Sequence, residues 1–140
     1  MMFKEIIVAI DGSDHSHKAM DYAKGLAKQY GATLRLVHAF PHTSDLLGYD
    51  NYEQLVARRE NAGQTILDQA REKLGEASFP IKEELLEEPA AEAILAVAKT
   101  RHADLIVMGT RGRSSLEGLL LGSVSQKVIH HADCPVMVVR

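Results

Sequence analysis

Short apolar runs alternate with longer stretches of helical periodicity, and this alternation limits the possible folds more than any other feature of the sequence. Residues 5–10 (EIIVAI) and 105–108 (LIVM) are almost continuously apolar, which is typical of strands buried on both faces of a sheet. Strands that are separated by helices form parallel sheets, because each helix returns the chain to the starting end. The predicted strands cover residues 5–10, 33–40, 79–85, 105–108 and 135–139.

We therefore predict an α/β fold: a single doubly wound domain over residues 1–140, with a five-stranded, mostly parallel sheet and four helices. Gly31 and Gly75 are placed to end the first two helices, and Pro89 suits the first turn of the third. Residues 41–50 (PHTSDLLGYD) are predicted to form a loop. The alternation alone leaves the strand order open.

The segment 104–125 (DLIVMGTRGRSSLEGLLLGSVS) combines a buried strand, a loop that contains glycines and the start of a helix. In open α/β sheets, ligands bind past the carboxyl end of a strand and against a helix N-terminus, where free N–H groups and the helix dipole attract anions. From residue chemistry alone, a surface loop whose glycines only turn the chain is an equal alternative. The donors that would surround an anion are the N–H groups of residues 122–124, the hydroxyls of Ser123 and Ser125, and the side chains of Arg111 and Arg113.

The glycine spacing in this segment resembles the nucleotide-binding signature of the universal stress protein family. Gly109 is followed after two residues by Gly112, and after nine more by Gly122 and Ser123. The opening IIVAIDGSDHS and the closing HADCPVMVVR also resemble that family, so the similarity covers essentially the whole chain. The resemblance implies a Rossmann-like fold of the adenine nucleotide alpha hydrolase type, with the first and fourth strands adjacent. It also implies a bound adenine nucleotide between those strands: ATP with Mg²⁺, or AMP or a related nucleotide.

The resemblance also assigns site residues. Ala9 and Ala39 match positions beside the adenine, and Asp11 matches an aspartate that contacts the nucleotide. From the residues alone, a turn or helix-capping carboxylate is the preferred interpretation of Asp11. A Cβ at the three glycines would hold a phosphate away from the amides. The implied nucleotide-binding set is Ala9, Asp11, Ala39, Met108, Gly109, Gly112, Arg113, Gly122, Ser123, Val124 and Ser125.

Three residues of the loop depart from the family pattern or complicate it. Ser115 stands where many members have glycine, and Arg111 stands where many have histidine. Both differences concern the conformation of the loop rather than the existence of the site. Glu117 brings a carboxylate near the implied phosphates, where it would repel them or help to hold Mg²⁺; we predict that it faces solvent.

The sequence carries no recognisable catalytic motif. A P-loop needs Gly-Lys-Ser/Thr, the dinucleotide fingerprint needs G-x-G-x-x-G after the first strand, and a nucleophile elbow needs G-x-S-x-G; none of these is present. We therefore predict no catalytic residues, and the family resemblance implies an ATP-binding protein of the stress response with at most weak ATPase activity. The alternatives are a dimeric interaction protein of the same fold that binds no nucleotide, and a slow ATP hydrolase.

Net charge, the length of the apolar runs and the cysteine count indicate which other partners and metal sites to expect. A net charge of −3 gives no electrostatic reason to expect binding to nucleic acid or an anionic membrane. No apolar run approaches the length of a membrane span, and we predict no signal peptide and a cytoplasmic location, which suits the single Cys134. His130, His131 and Cys134 lie close in sequence, but no second cysteine completes a zinc site, so we predict no metal site in the protein itself.

The last predicted strand suggests a partner. Residues 135–139 are apolar and lie near the end of the chain, before Arg140, so they are expected to form an exposed sheet edge that pairs with another copy. The family resemblance implies a homodimer built by antiparallel pairing of these strands. The alternative is a last strand that is covered by the protein's own helices.

Overall fold

The computed structural model of the chain describes residues 2–41, 49–110 and 121–140. Strands and helices alternate along this part of the chain. The strands are β1 (Glu5–Ala9), β2 (Thr33–Phe40), β3 (Ile81–Glu87), β4 (Leu105–Gly109) and β5 (Val136–Val139). The helices are α1 (Asp14–Tyr30), α2 (Tyr49–Leu74), α3 (Ala90–Thr100) and α4 (Ser123–His131).

The five strands form one sheet in the order β3-β2-β1-β4-β5, and every neighbouring pair is parallel. Helices α1 and α2 pack on one face of the sheet, and α3 and α4 pack on the other. The predicted α/β class is confirmed, and β1 and β4 are adjacent, as the family resemblance implied. Because the chain leaves these two strands toward opposite faces, a crevice forms beyond their carboxyl ends.

Burial explains why the central strands read as continuous apolar runs. In β1, Ile6 and Val8 point into the core beneath α1 and α2, while Ile7 points into the core beneath α3 and α4. All three side chains are completely buried. A strand covered on both faces has no polar side, so alternation disappears from its sequence.

Several predicted boundaries are confirmed and several are shifted. Gly31 and Gly75 end α1 and α2 in the left-handed conformation, with φ of 65° and 66°. Pro89 caps α3 instead of occupying its first turn, and α2 begins at Tyr49, inside the predicted loop. Residues 42–48 of that loop lie outside the described part of the chain.

Strand β3 begins two residues later than predicted because of Pro80. A proline has no N–H for a ladder, although its carbonyl still accepts a hydrogen bond from the Leu34 amide at 2.9 Å. The regular strand therefore starts at Ile81, and Phe79 packs into the core from outside the strand.

At the amino edge of the sheet, side chains tie the strands together. Asp104 Oδ2 accepts hydrogen bonds from the Lys4 and Glu5 amides at 2.8 and 2.9 Å, and so joins β4 to the start of β1. Buried Arg35 pairs with Glu5 and Glu84 across β1, β2 and β3. These contacts are structural, and they lie at the edge opposite the crevice.

The last strand differs in part from its prediction. It starts at Val136, and Val136, Met137 and Val138 are only half-buried, as expected of an edge strand. Cys134 is half-buried and packs against the rim of the core under α3 and α4. Burial raises the pKa of its thiol, which keeps it protonated.

Within residues 2–41, 49–110 and 121–140, none of the helices has the length and apolarity needed to cross a membrane.

Candidate functional site

A cavity of about 600 Å³ lies over the carboxyl ends of β1, β2 and β4. This volume is within the range of small-molecule sites in proteins, about 300–1,000 Å³. Nine of the eleven predicted site residues line it: Ala9, Asp11, Ala39, Met108, Gly109, Gly122, Ser123, Val124 and Ser125. The other two, Gly112 and Arg113, lie outside the described residues, as do Arg111, Ser115 and Glu117.

Asp11 occupies a hydrogen-bonded turn between β1 and α1. Its Oδ1 accepts from the Ser13 amide at 2.9 Å, and Ser13 Oγ in turn caps α1 by accepting from the Ser16 amide at 3.1 Å. The Asp11 amide donates to Ser16 Oγ at 3.3 Å. Asp11 is therefore the turn carboxylate that residue chemistry favoured, and the same side chain lines the cavity.

The N-terminus of α4 forms another part of the cavity wall. Gly122 is its N-cap residue, and no side chain of the described residues caps it, so within this part of the chain the first amides of the helix lack the partner that a serine or aspartate would supply. Ser123 and Val124 are exposed here. A helix end with open N–H groups and a positive dipole attracts an anion.

Two predicted donors at this helix end are used within the protein. The Gly122 amide donates to the Thr110 carbonyl at 2.6 Å. The prediction that this amide is free to bind a ligand is therefore wrong. The buried Ser125 hydroxyl donates to the Gly109 carbonyl at 2.8 Å and is likewise not directed at a ligand. The remaining predicted amides are those of Ser123 and Val124.

Gly109 is constrained by a contact that differs from the predicted one. A Cβ at this position would lie 2.9 Å from His15 Cβ and 3.0 Å from the His15 carbonyl oxygen. The glycine therefore lets the first turn of α1 approach the end of β4, whatever ligand the cavity holds.

Two histidines that the sequence analysis did not assign to the site hold neighbouring elements together by hydrogen bonds. His38 lines the cavity, is buried, and donates from Nδ1 to the Ile10 carbonyl at 2.6 Å. Outside the cavity, His17 Nδ1 accepts from Lys73 Nζ at 2.9 Å, which links α1 to α2. Burial, and then the positive charge of Lys73, lowers the pKa of His17.

Sequence reasoning also missed the wall that α2 contributes. Arg59, Ala62, Gly63 and Ile66 line the cavity with helical spacing. A Cβ at Gly63 would lie 2.7 Å from Leu85 Cδ1 and 3.2 Å from His38 Cδ2, so the glycine allows α2 to pack closely on the sheet. The sequence offers one signal for this wall: two small residues, Ala62 and Gly63, follow Arg59 by about one helical turn. An ordinary amphipathic helix shows the same pattern.

On the other face of the sheet, Ala90 and Ile94 of α3 complete the described lining. The cavity thus has apolar side walls, one carboxylate at Asp11, one guanidinium at Arg59 and an open helix N-terminus in its described part. Such a site suits a ligand with an apolar, flat portion and an anionic portion. No cluster of three metal-ligating side chains occurs among the residues described.

Comparisons of the sequence and of the structure with known proteins agree on one family. The sequence profile of the universal stress protein family matches residues 2–140. A universal stress protein of Thermus aquaticus is 44% identical over 140 residues, which cover 99% of this chain and 100% of that relative.

Two solved structures show the same architecture at 26% sequence identity. The universal stress protein UspA of Lactobacillus plantarum matches with a TM-score of 0.86, over 99% of this chain and 98% of that one. A universal stress protein crystallised in complex with cAMP matches with a TM-score of 0.78, over 100% of this chain and 99% of that one.

Proposed function

The chain belongs to the universal stress protein family, and from that premise we propose that it binds an adenine nucleotide in the cavity at the carboxyl edge of its sheet. The observation that carries the proposal is the convergence of nine predicted residues, from three separate segments of the sequence, on one cavity. The similar protein crystallised with cAMP, a universal stress protein, supports the adenine class.

The finer proposal is that the ligand is ATP with Mg²⁺. The phosphates would lie at the open N-terminus of α4, where the Ser123 and Val124 amides and the helix dipole favour negative charge. Mg²⁺ is usually held by substrate phosphates and one or two carboxylates, and Asp11 is the carboxylate of the described lining. We propose further that the site serves as a regulatory switch in a cytoplasmic homodimer.

The first test is the nucleotide content of the purified protein. The protein is denatured, and the supernatant is separated by ion-exchange chromatography. We expect ATP or AMP to be released in a ratio that approaches one per chain. An empty protein is then titrated with ATP and Mg²⁺, AMP and cAMP in a calorimeter. Absence of heat and of thermal stabilisation with all three would overturn nucleotide binding and favour the interaction protein that binds no nucleotide.

A variant at Gly122 tests the location of the site. Gly122 has a φ of −69°, a conformation that any residue adopts, so a leucine there would block the end of α4 without backbone strain. We expect Gly122→Leu to weaken ATP binding at least tenfold, which corresponds to about 1.4 kcal/mol.

The matched control is Gly25→Leu. Gly25 lies in α1, and no atom of the described residues comes within 4 Å of an added Cβ, so the same gain in bulk is accommodated away from the cavity. The control should bind ATP like the wild type. Equal affinity in Gly122→Leu and the wild type would refute the assignment of the phosphates to α4.

Release of inorganic phosphate with multiple turnovers in the same samples would favour the slow hydrolase.

A further inference from the structure

Arg59 is a cation in the cavity wall without a charged partner in the described part of the chain. It is half-buried on α2, and its Nη1 donates to the Pro41 carbonyl at 3.2 Å, at the long end of hydrogen-bond distances. No carboxylate forms an ion pair with it within residues 2–41, 49–110 and 121–140. Among the described residues, the other donors of its five-donor guanidinium group make no hydrogen bond.

The position of Arg59 in the fold separates it from the proposed phosphate site. Pro41 directly follows β2, whereas α4 is reached from β4, and β1 lies between these two strands. Adjacent strands are about 4.8 Å apart, so the ends of β2 and β4 are separated by about 10 Å. With the phosphates at α4, the Arg59 end of the cavity corresponds to the base end of a nucleotide.

The cavity walls at the end of β2 suit a flat ring. Arg59 and Ala62 of α2 line one side, and Ala90 and Ile94 of α3 line the side across the sheet edge. Ala62 carries only a methyl group, which leaves space next to the arginine. A guanidinium group is planar and weakly hydrated, and it stacks on aromatic rings and on nucleobases.

Resting on the proposed function, we propose that Arg59 is a specificity-determining residue that binds the face of the purine base. The guanidinium plane covers one face of the ring, and the apolar side chains of α3 cover the other. This contact selects a purine over a smaller pyrimidine, because the larger ring offers more surface for stacking.

The experiment compares AMP with adenosine, which lacks the phosphate. Both ligands are titrated against wild type, Arg59→Ala and Arg59→Lys, by calorimetry for AMP and by NMR shifts at millimolar concentration for adenosine. We expect Arg59→Ala to lose about tenfold in affinity for both ligands, in line with stacking and cation–π contacts of this kind. Arg59→Lys keeps the charge and loses the plane, so it should lose most of the same affinity.

The matched control is Arg58→Ala, an exposed arginine on the same helix that does not line the cavity. It should bind both ligands like the wild type, and all variants should keep the wild-type thermal midpoint. A loss that appears with AMP but not with adenosine, or full rescue by lysine, would show a phosphate contact and overturn the proposal. Unchanged affinity in Arg59→Ala would overturn it too, while leaving nucleotide binding intact. If the wild type binds no nucleotide at all, the proposed function fails first and this inference fails with it.

Discussion

At the residue scale, Gly109 both lines the cavity and packs against the first turn of α1. It ends β4 in the cavity lining, and the first turn of α1 approaches it so closely that a Cβ would lie 2.9 Å from His15 Cβ. Gly109→Ala therefore forces α1 and β4 apart. We expect a loss of about 1–3 kcal/mol in the free energy of unfolding, which is typical of overpacking, measured by urea denaturation.

The control for Gly109→Ala is the same substitution at Gly25. In the part of the chain that the structure describes, an added Cβ meets nothing within 4 Å there, and the residue lies inside α1. Alanine in a helix interior is favoured over glycine by about 0.5–1 kcal/mol, so Gly25→Ala should be neutral or stabilising. Equal urea midpoints for Gly109→Ala and Gly25→Ala would contradict the close contact with His15.

The residues of the cavity show what the sequence could and could not predict at this scale. Asp11 and Gly122 were found because their neighbours along the chain, a strand end and a helix start, give them their position. The contact of His15 with Gly109 and the contribution of Arg59 depend on segments that are distant in sequence. No local pattern contains that information, because it arises only when helices pack on the sheet.

At the element scale, α1 and α2 share a hydrogen bond that depends on the protonation of His17. Lys73 Nζ donates to His17 Nδ1, which must be deprotonated to accept. Burial and the charge of Lys73 lower the pKa of His17, against the opposing effect of Asp14, Asp11 and Asp21. The folded protein therefore takes up a proton at this histidine at lower pH than the unfolded chain does.

The sign of the pH dependence follows from this difference. Below about pH 6.5, the usual pKa of histidine, the unfolded chain binds more protons at His17 than the folded chain, so stability falls as the pH falls through this range. We expect His17→Gln, whose amide oxygen still accepts from Lys73, to lose less stability than the wild type between pH 7 and pH 5.5. The measurement is the urea midpoint across this range, with pH 8 as the reference at which both proteins carry a neutral side chain. Identical slopes would contradict the role of His17.

The boundaries of the elements were predictable where a single residue type imposes them. Gly31 and Gly75 end α1 and α2 because a left-handed residue closes each helix. The start of β3 was missed because Phe79 continues the alternating pattern, while Pro80 interrupts the ladder. The alternation of side chains indicates which residues are buried, whereas backbone hydrogen bonds define the strand. A proline lacks the N–H for the ladder, so a residue before it can be buried without belonging to the strand.

At the scale of the whole molecule, the direction of the backbone groups of β5 bears on the proposed homodimer. The carbonyls of Pro135 and Val139 accept hydrogen bonds from the Ile106 and Thr110 amides, at 3.0 and 2.9 Å, on the β4 side. Because alternate residues of a strand direct their backbone groups to opposite sides, the N–H and C=O groups of Val136 and Val138 point away from the sheet. An outward-facing row of this kind is what antiparallel pairing with a second copy requires.

Proline substitutions on the two sides of β5 test the dimer separately from the fold. Val138→Pro removes an outward-facing N–H and leaves the ladder to β4 in place, a position where edge strands tolerate proline. We expect it to convert a dimeric wild type into a folded monomer, measured by light scattering coupled to size-exclusion chromatography at micromolar concentration. Met137→Pro removes an N–H on the β4 side, so it should lower the thermal midpoint more than Val138→Pro does. A monomeric wild type would refute the homodimer. A dimeric Val138→Pro would refute pairing through β5, and the two copies would then have to associate through another surface.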